Sequence, residues 1–190
     1  MNYDCGFPEM ATIIPKQEGR NGWGIHHKII GKDEADLARL RSVIGYSFAI
    51  GIDQIEEGTY AVLYNSQDLV MSDTWMERSS CSEVISKWDG AQGDILVAGL
   101  GIGMILVPLS HSERVTSITV IEKQQEVIDL VWQYLQPSFG NVPVQIILGD
   151  AYNPPFGKKK ANIYDYIWLD IWPNICTDNL ASITKLRRVY

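Results

Sequence analysis

Cysteine is scarce in this sequence, and basic residues are fewer than acidic ones. The three cysteines, Cys5, Cys81 and Cys176, are odd in number and far apart, so they predict neither a disulfide framework nor a zinc motif. Such sparse usage is typical of a reducing compartment, and we expect a cytoplasmic protein. The 23 acidic residues exceed the 16 lysines and arginines and give a net charge of −7. This charge argues against a nucleic acid partner, because phosphate backbones attract basic surfaces.

Long apolar runs are also missing. No stretch approaches the roughly 20 apolar residues that a membrane helix needs. The opening MNYDCGFPEM carries acids instead of the apolar segment of a secretory signal. We therefore expect neither a membrane partner nor a signal peptide. Hydrophobic residues nevertheless make up 46% of the chain, which is enough for a globular core.

The order of predicted elements divides the chain into two domains. Residues 1–88 predict a small α+β region with a strand over WGIHHKII, a β-hairpin around Asn65 and Ser66, and a helix that starts near Ser72 or Asp73. Residues 89–190 alternate apolar strands with helices, the pattern of a parallel sheet. We predict an α/β fold whose second domain is a doubly wound, mostly parallel, Rossmann-like sheet.

This sheet is expected to be short at its C-terminal side. The chain stops after the fourth strand, YDYIWLDIW, and one further helix. An uncovered strand edge favours unwanted pairing with other chains. We therefore expect either the N-terminal segment or another subunit, in a homo-oligomer, to cover this edge.

A glycine-rich stretch, VAGLGIG, follows the first strand of the second domain. Gly99, Gly101 and Gly103, with Leu100 between them, allow a backbone to approach a ligand without Cβ atoms in the way. A tight turn that only packs a helix on a strand uses glycine in the same manner. The motif alone leaves both interpretations open.

Each of the next three strands ends in an acid. Glu122, followed by Lys123, ends the second strand, Asp150 and Ala151 follow the third, and Asp170 ends the fourth. Because the carboxyl ends of parallel strands meet at one edge of a sheet, we expect these residues and the glycines to border one ligand site. Taken singly, each acid could instead form a turn or a helix cap.

Two common nucleotide motifs are absent from this stretch. A dinucleotide fingerprint needs a small residue where Met104 stands, and no lysine followed by serine or threonine comes after the glycines, as it does in a P-loop. An adenosine ligand without a pyrophosphate fits the pattern better.

On these residues, the second half of the chain resembles the class I S-adenosylmethionine-dependent methyltransferases. The resemblance implies that VAGLGIG is their first motif, that Glu122 binds ribose, and that Asp150 and Ala151 border adenine. It also implies S-adenosyl-L-methionine as the cofactor, and a small molecule or a protein side chain as the substrate. Methyl transfer needs an oriented nucleophile and a proton acceptor, and Asp170 is the candidate for that role.

A narrower resemblance is to the spermidine synthase-like branch. Its order of hairpin, acid, helix and glycine turn can be laid on residues 59–188, which places Asp73 on that family's acid and makes it a second catalytic candidate. Asp73 and Glu77 could flank the mouth of the site or lie on a solvated helix start. Those enzymes carry an aspartate in the glycine motif where this chain has Ile102.

Three functions therefore stay open. The first is a methyltransferase, the second an aminopropyltransferase acting on decarboxylated S-adenosylmethionine, and the third a non-catalytic S-adenosylmethionine-binding module. No metal is expected, because His26 and His27 are adjacent on a strand and face opposite ways.

Overall fold

The computed structural model of the chain describes residues 7–44, 56–86, 90–156, 163–172 and 177–190. Within these ranges it is an α/β structure with two β-sheets. The described helices are all too short or too polar to traverse a lipid bilayer. The predicted boundary between residues 88 and 89 lies outside the described residues, as do Cys5 and Cys176.

The first sheet belongs to the N-terminal half and is antiparallel, with its strands in chain order. Its strands are β1 (Gln17–Glu18), β2 (Trp23–Ile30), β3 (Gly58–Asn65) and β4 (Asp68–Ser72). The predicted strand over WGIHHKII and the predicted hairpin are confirmed, and β2 pairs with β3 along its whole length. Ser66, with a φ of 58°, makes the tight turn between β3 and β4.

The second sheet is parallel throughout the described residues. Its strands are β5 (Gly93–Ala98), β6 (Val115–Glu122), β7 (Val144–Leu148) and β8 (Tyr166–Leu169). They lie in the order β7-β6-β5-β8. Strands β6 and β7 follow β5 on one side of it, and β8 pairs with β5 on the other side. The central strands are buried at residues 95–98 and 118–122, whereas the edge strands β7 and β8 are only partly covered.

Six α-helices accompany the strands in the described part of the chain. They are α1 (Met10–Ile13), α2 (Lys32–Ile44), α3 (Trp75–Ser86), α4 (Leu106–Ser110), α5 (Gln125–Leu135) and α6 (Leu180–Leu186). Four of them, α2 to α5, lie between strands. The helix predicted from Ser72 or Asp73 begins only at Trp75. The amphipathic helix α5 buries Val127, Val131 and Leu135 on one face.

One hydrophobic core joins the two halves of the molecule. Buried side chains of the first sheet, such as Ile25 and Leu63, belong to the same cluster as Val97 of β5 and Ile102 of the glycine turn. One link between them is made by Met71 of β4, whose sulfur accepts the backbone N–H of Ile102 at 3.4 Å. The N-terminal sheet therefore packs directly against the glycine turn of the second sheet.

Candidate functional site

A cavity of about 860 Å³ lies at the carboxyl edge of the parallel sheet. The residues that end or follow its four strands all line this cavity: Gly99, Glu122, Asp150 and Asp170. The strand order reverses between β5 and β8. Open α/β sheets bind ligands at the carboxyl ends of their strands next to such a reversal. The cavity thus occupies the position in the sheet where a ligand site is expected.

Most of the predicted binding residues line the cavity, but not all do. Those that line it are Gly99, Gly101, Glu122, Lys123, Asp150, Ala151 and Asp170. Leu100 and Gly103 belong to the same turn but are buried in the protein, and Asp73 is buried elsewhere. The structure therefore brings the strand-end residues together and leaves Asp73 apart from them.

The backbone conformation and close packing of the turn require glycine at three positions. Gly99, Gly101 and Gly103 have φ values of 96°, 51° and 67°, in the left-handed region that favours glycine. A Cβ at Gly99 would overlap the carbonyl oxygen of Asp170, and a Cβ at Gly101 would overlap the sulfur of Met71. A close turn therefore accounts for the motif without a ligand, although Gly99 and Gly101 also face the cavity.

Glu122 fixes the glycine turn to the end of β6. One carboxylate oxygen accepts the backbone N–H of Leu100 at 2.7 Å, and the other accepts that of Gln124 at 2.8 Å. The residue is only 8% exposed and borders the cavity. Each oxygen of a carboxylate has a second acceptor position, so Glu122 keeps the capacity to bind a hydroxyl group while holding the turn.

Asp150 forms a turn of its own after β7. Its side chain accepts the backbone N–H of Tyr152 at 2.9 Å, and its other oxygen pairs with the ammonium of Lys123 at 3.3 Å. The bond from Tyr152, aided by Lys123, holds the pKa of the Asp150 carboxyl below its ordinary value against the effect of burial. Asp150 is therefore an ionised and paired acid at the rim of the cavity.

The pKa of Asp170 shifts in the opposite direction from that of Asp150. Its carboxyl is half-buried, and burial raises its pKa above the ordinary value. The indole of Trp168 opposes this rise, yet its buried N–H group does not reach hydrogen-bond geometry with any described partner. Burial is therefore the larger of the two effects on the pKa of Asp170.

The contacts of Asp73 give it a structural role. Its side chain is fully buried and accepts the backbone N–H groups of Met10 at 3.0 Å and Ala61 at 2.7 Å. The Arg78 guanidinium pairs with the same carboxylate at 3.1 Å. These bonds tie α1, β3 and α3 together and leave the carboxylate facing neither the cavity nor solvent. Asp73 therefore lies neither at the mouth of the cavity nor on a solvated helix start, the two positions considered from the sequence.

Helix α3 brings two other side chains to the cavity. Glu77 and Cys81 lie one helical turn apart and both line it. Burial raises the pKa of Glu77, and the Asp170 carboxylate raises it further. Burial, followed by Asp170 and Glu77, raises the pKa of the Cys81 thiol. From the sequence, the mouth of the site was one of two positions considered for Glu77, and no pattern pointed to Cys81. The reason is that the packing of α3 decides which of its faces borders the cavity.

The hairpin and several aromatic residues, among them Trp23 of β2, also line the cavity. Leu69 and Val70 of β4 contribute one wall, and Tyr152, Trp168 and Trp172 contribute aromatic surface on the side of the parallel sheet. The ammonium of Lys185 lies 4.9 Å from the centre of the Tyr152 ring. The cavity is therefore a cleft between both halves of the molecule. Among the described side chains, no group of three or more His, Cys, Asp and Glu residues could hold a metal ion.

Comparison with known proteins adds little to this geometry. No protein family and no curated protein matches the chain. Among solved structures, the chain is similar to the YcgJ protein from Bacillus subtilis, with 22% identity and a TM-score of 0.32. The match covers 42% of this chain and 31% of that protein, so this chain spans less than a third of its length. A likeness this distant assigns neither a fold family nor an activity.

Proposed function

We propose that the chain is an S-adenosylmethionine-dependent transferase, most simply a methyltransferase, built on a doubly wound, Rossmann-like sheet. The observation that supports this proposal is the convergence of four strand ends on one cavity beside the reversal of strand order. Each of these strand ends supplies a glycine or an acid. A volume of about 860 Å³ lies within the range of small-molecule and cofactor sites.

The donor set of the cavity suits the adenosyl part of the cofactor. Gly99 and Gly101 present bare backbone, and Glu122 keeps free acceptor positions for ribose hydroxyls. Ala151 and the ring of Tyr152 provide apolar and aromatic surface for the base. Asp150, ionised and ordered by its turn, can accept a hydrogen bond from an amino group on that base.

Asp170 is proposed as the proton acceptor. When bound, the cofactor would supply an electrophilic methyl group, and the protein would need to orient a nucleophile, exclude water and take up a proton. A half-buried carboxyl with a raised pKa that faces the cavity suits that last task. Because Asp73 is committed to three structural bonds, we assign it no part in the transfer.

Calorimetry with three nucleosides tests the proposal. We expect S-adenosylmethionine and S-adenosylhomocysteine to bind, and Asp170→Asn to bind both while losing transfer activity. Asp129→Asn, on the exposed side of α5, is the matched control and should change neither property. A clear preference for decarboxylated S-adenosylmethionine would support an aminopropyltransferase instead. If none of the three binds, the proposal is wrong.

The glycines are unsuitable for this test. Gly101→Val would collide with Met71 and strain the backbone, so a loss of binding would not separate a ligand contact from a misfolded turn. The Asp170 and Asp129 variants remove a charge without adding heavy atoms and avoid this ambiguity.

A further inference from the structure

Most backbone N–H groups of the glycine turn, Gly99 to Gly103, are used within the protein. The N–H of Gly99 donates to the carbonyl of Ile121, and the N–H of Gly103 donates to that of Leu100, both at 2.8 Å. The N–H of Leu100 donates to the carboxylate of Glu122. These three donors are therefore unavailable to a ligand.

The other two N–H groups of the turn, on Gly101 and Ile102, are adjacent. That of Gly101 has no hydrogen-bond partner among the described residues. That of Ile102 donates to the sulfur of Met71 at 3.4 Å, and a thioether is a weak acceptor. Adjacent backbone N–H groups in a turn can form a concave site for an anion. Met71 therefore occupies the acceptor position that an anion would need at this turn.

The side chain of Met71 also fills the space beside the turn. Its sulfur lies so close to Gly101 that a Cβ on this glycine would overlap it. Met71 is 8% exposed, and it lines the cavity together with Gly101. A ligand group that reaches the turn from the cavity therefore meets a thioether instead of the N–H of Ile102.

The charges around the cavity are also unfavourable for an anion at the turn. Lys123 is the one base among the described residues that line the cavity, and it pairs with Asp150 at 3.3 Å. The carboxylate of Glu122 lies against the turn through its bond to Leu100. Juxtaposed like charges weaken binding and exclude the wrong partner. Neither the turn nor the described lining thus offers an unpaired cation to a phosphate.

We propose that Met71 is a specificity-determining residue that closes the glycine turn to anionic groups. The cavity then accepts adenosine with a thioether or sulfonium at its 5′ carbon and rejects adenosine 5′-phosphates. This inference rests on the proposed transferase function, which places the ribose at Glu122. Because the same carboxylate holds Leu100, a ribose bound there lies beside the turn. The polarisable sulfur of Met71 tolerates an apolar neighbour, whereas a phosphate would lose water without gaining an N–H donor.

Two adenosine probes test this inference. 5′-Methylthioadenosine and adenosine 5′-monophosphate differ only in the group on the 5′ carbon, and calorimetry at constant ionic strength measures their binding to the full chain. We expect the wild-type chain to bind the thioether at least about tenfold more tightly than the phosphate. Met71→Val removes the sulfur and its methyl group but suits a strand. It should shift the ratio of the two dissociation constants about tenfold toward the phosphate, the effect of one hydrogen bond to a charged group.

Met71→Leu is the matched control, because it keeps an apolar side chain of similar volume beside the turn. It should leave the ratio near its wild-type value. Met71→Ala opens the turn as Met71→Val does, and it is used with the same expectation if the first variant does not fold. A general loosening of the hairpin would weaken both probes equally and leave the ratio constant. An unchanged ratio in the opened variants, or an equal shift in Met71→Leu, overturns the inference.

S-adenosylhomocysteine separates failure of this inference from failure of the transferase proposal. If it binds and the wild-type chain holds both adenosine probes equally tightly, or neither of them, the inference alone is wrong. If it does not bind, the transferase proposal fails, and the assignment of Met71 to cofactor selection fails with it.

Discussion

The carboxylate of Glu122, the last residue of β6, accepts the backbone N–H of Leu100 in the glycine turn at 2.7 Å. Its second oxygen accepts the N–H of Gln124, the residue that precedes α5, at 2.8 Å. One acid therefore fixes the relative position of two strand ends that border the cavity. Glu122, the proposed ribose-binding acid, therefore has a structural task, and a ribose hydroxyl would use other acceptor positions of the same carboxylate.

Replacing Glu122 by glutamine should destabilise the fold. The amide offers one acceptor oxygen and places N–H donors where a backbone N–H needs an acceptor. The expected loss in the free energy of unfolding is about 1–3 kcal/mol, measured by urea denaturation. Glu113→Gln, which is exposed, is the control and should be neutral. Equal stability of the two variants would contradict the role assigned to these hydrogen bonds.

Gly99→Ala should be more damaging than an ordinary glycine substitution. The φ of 96° is unfavourable for alanine, and the added Cβ would overlap the backbone carbonyl of Asp170, which cannot rotate away. We expect a loss of at least about 2 kcal/mol in stability, seen as a lower thermal midpoint. Gly31→Ala is the matched control, since nothing lies within 4 Å of a Cβ there. A similar midpoint for the two variants would be evidence against the close approach of Gly99 and Asp170.

Asp73→Asn separates a structural acid from a catalytic one. The change removes the charge that pairs with the partly exposed Arg78 guanidinium, which keeps its bond to the Asp73 backbone carbonyl. It also turns an amide N–H group toward one of the buried N–H donors of Met10 and Ala61, so we expect a loss of about 1–3 kcal/mol in the free energy of unfolding. Denaturation of the variant and of the wild-type chain gives this difference. A variant that keeps full stability but loses transfer activity would restore Asp73 as a catalytic candidate and refute the structural assignment.

Glu77→Gln should change how stability depends on pH. The pKa of Glu77 in the folded chain lies above its ordinary value of 4.5, mainly because of burial and further because of Asp170. Between these two pKa values the folded chain binds more protons than the unfolded chain, so the free energy of unfolding decreases as the pH rises. The variant lacks this proton uptake, while Asp170 and the Cys81 thiol, which face Glu77, remain in both proteins.

Urea denaturation of both proteins over a pH series measures this difference. Relative to the wild-type chain, Glu77→Gln should become progressively more stable as the pH rises through and above 4.5. A constant difference across the series would mean that Glu77 has the same pKa in both states and is not held against Asp170.

Local sequence patterns predict most of the secondary structure of the described residues. Alternating apolar strands and helices predicted all four strands of the parallel sheet, because strands buried in such a sheet are apolar along their whole length. The turn at Ser66 was readable from local composition. Parallel strands end at one edge, so the meeting of Gly99, Glu122, Asp150 and Asp170 was predictable from their positions alone.

The contacts that those residues make depend on packing between distant segments. The sequence offers the same two positions for Asp73 and Glu77, the mouth of the site or a solvated helix start. In the structure, Asp73 is fully buried and pairs with Arg78. Glu77 lines the cavity, as Asp170 does. The orientation of α3 against the two sheets sets this difference, and it arises from packing between segments far apart in the chain. The same holds for Gly101, where a Cβ would overlap Met71 of the other sheet in addition to the strain of its positive φ. Local patterns fix periodicity and turns, whereas burial and charge pairing depend on neighbours that the sequence order does not reveal.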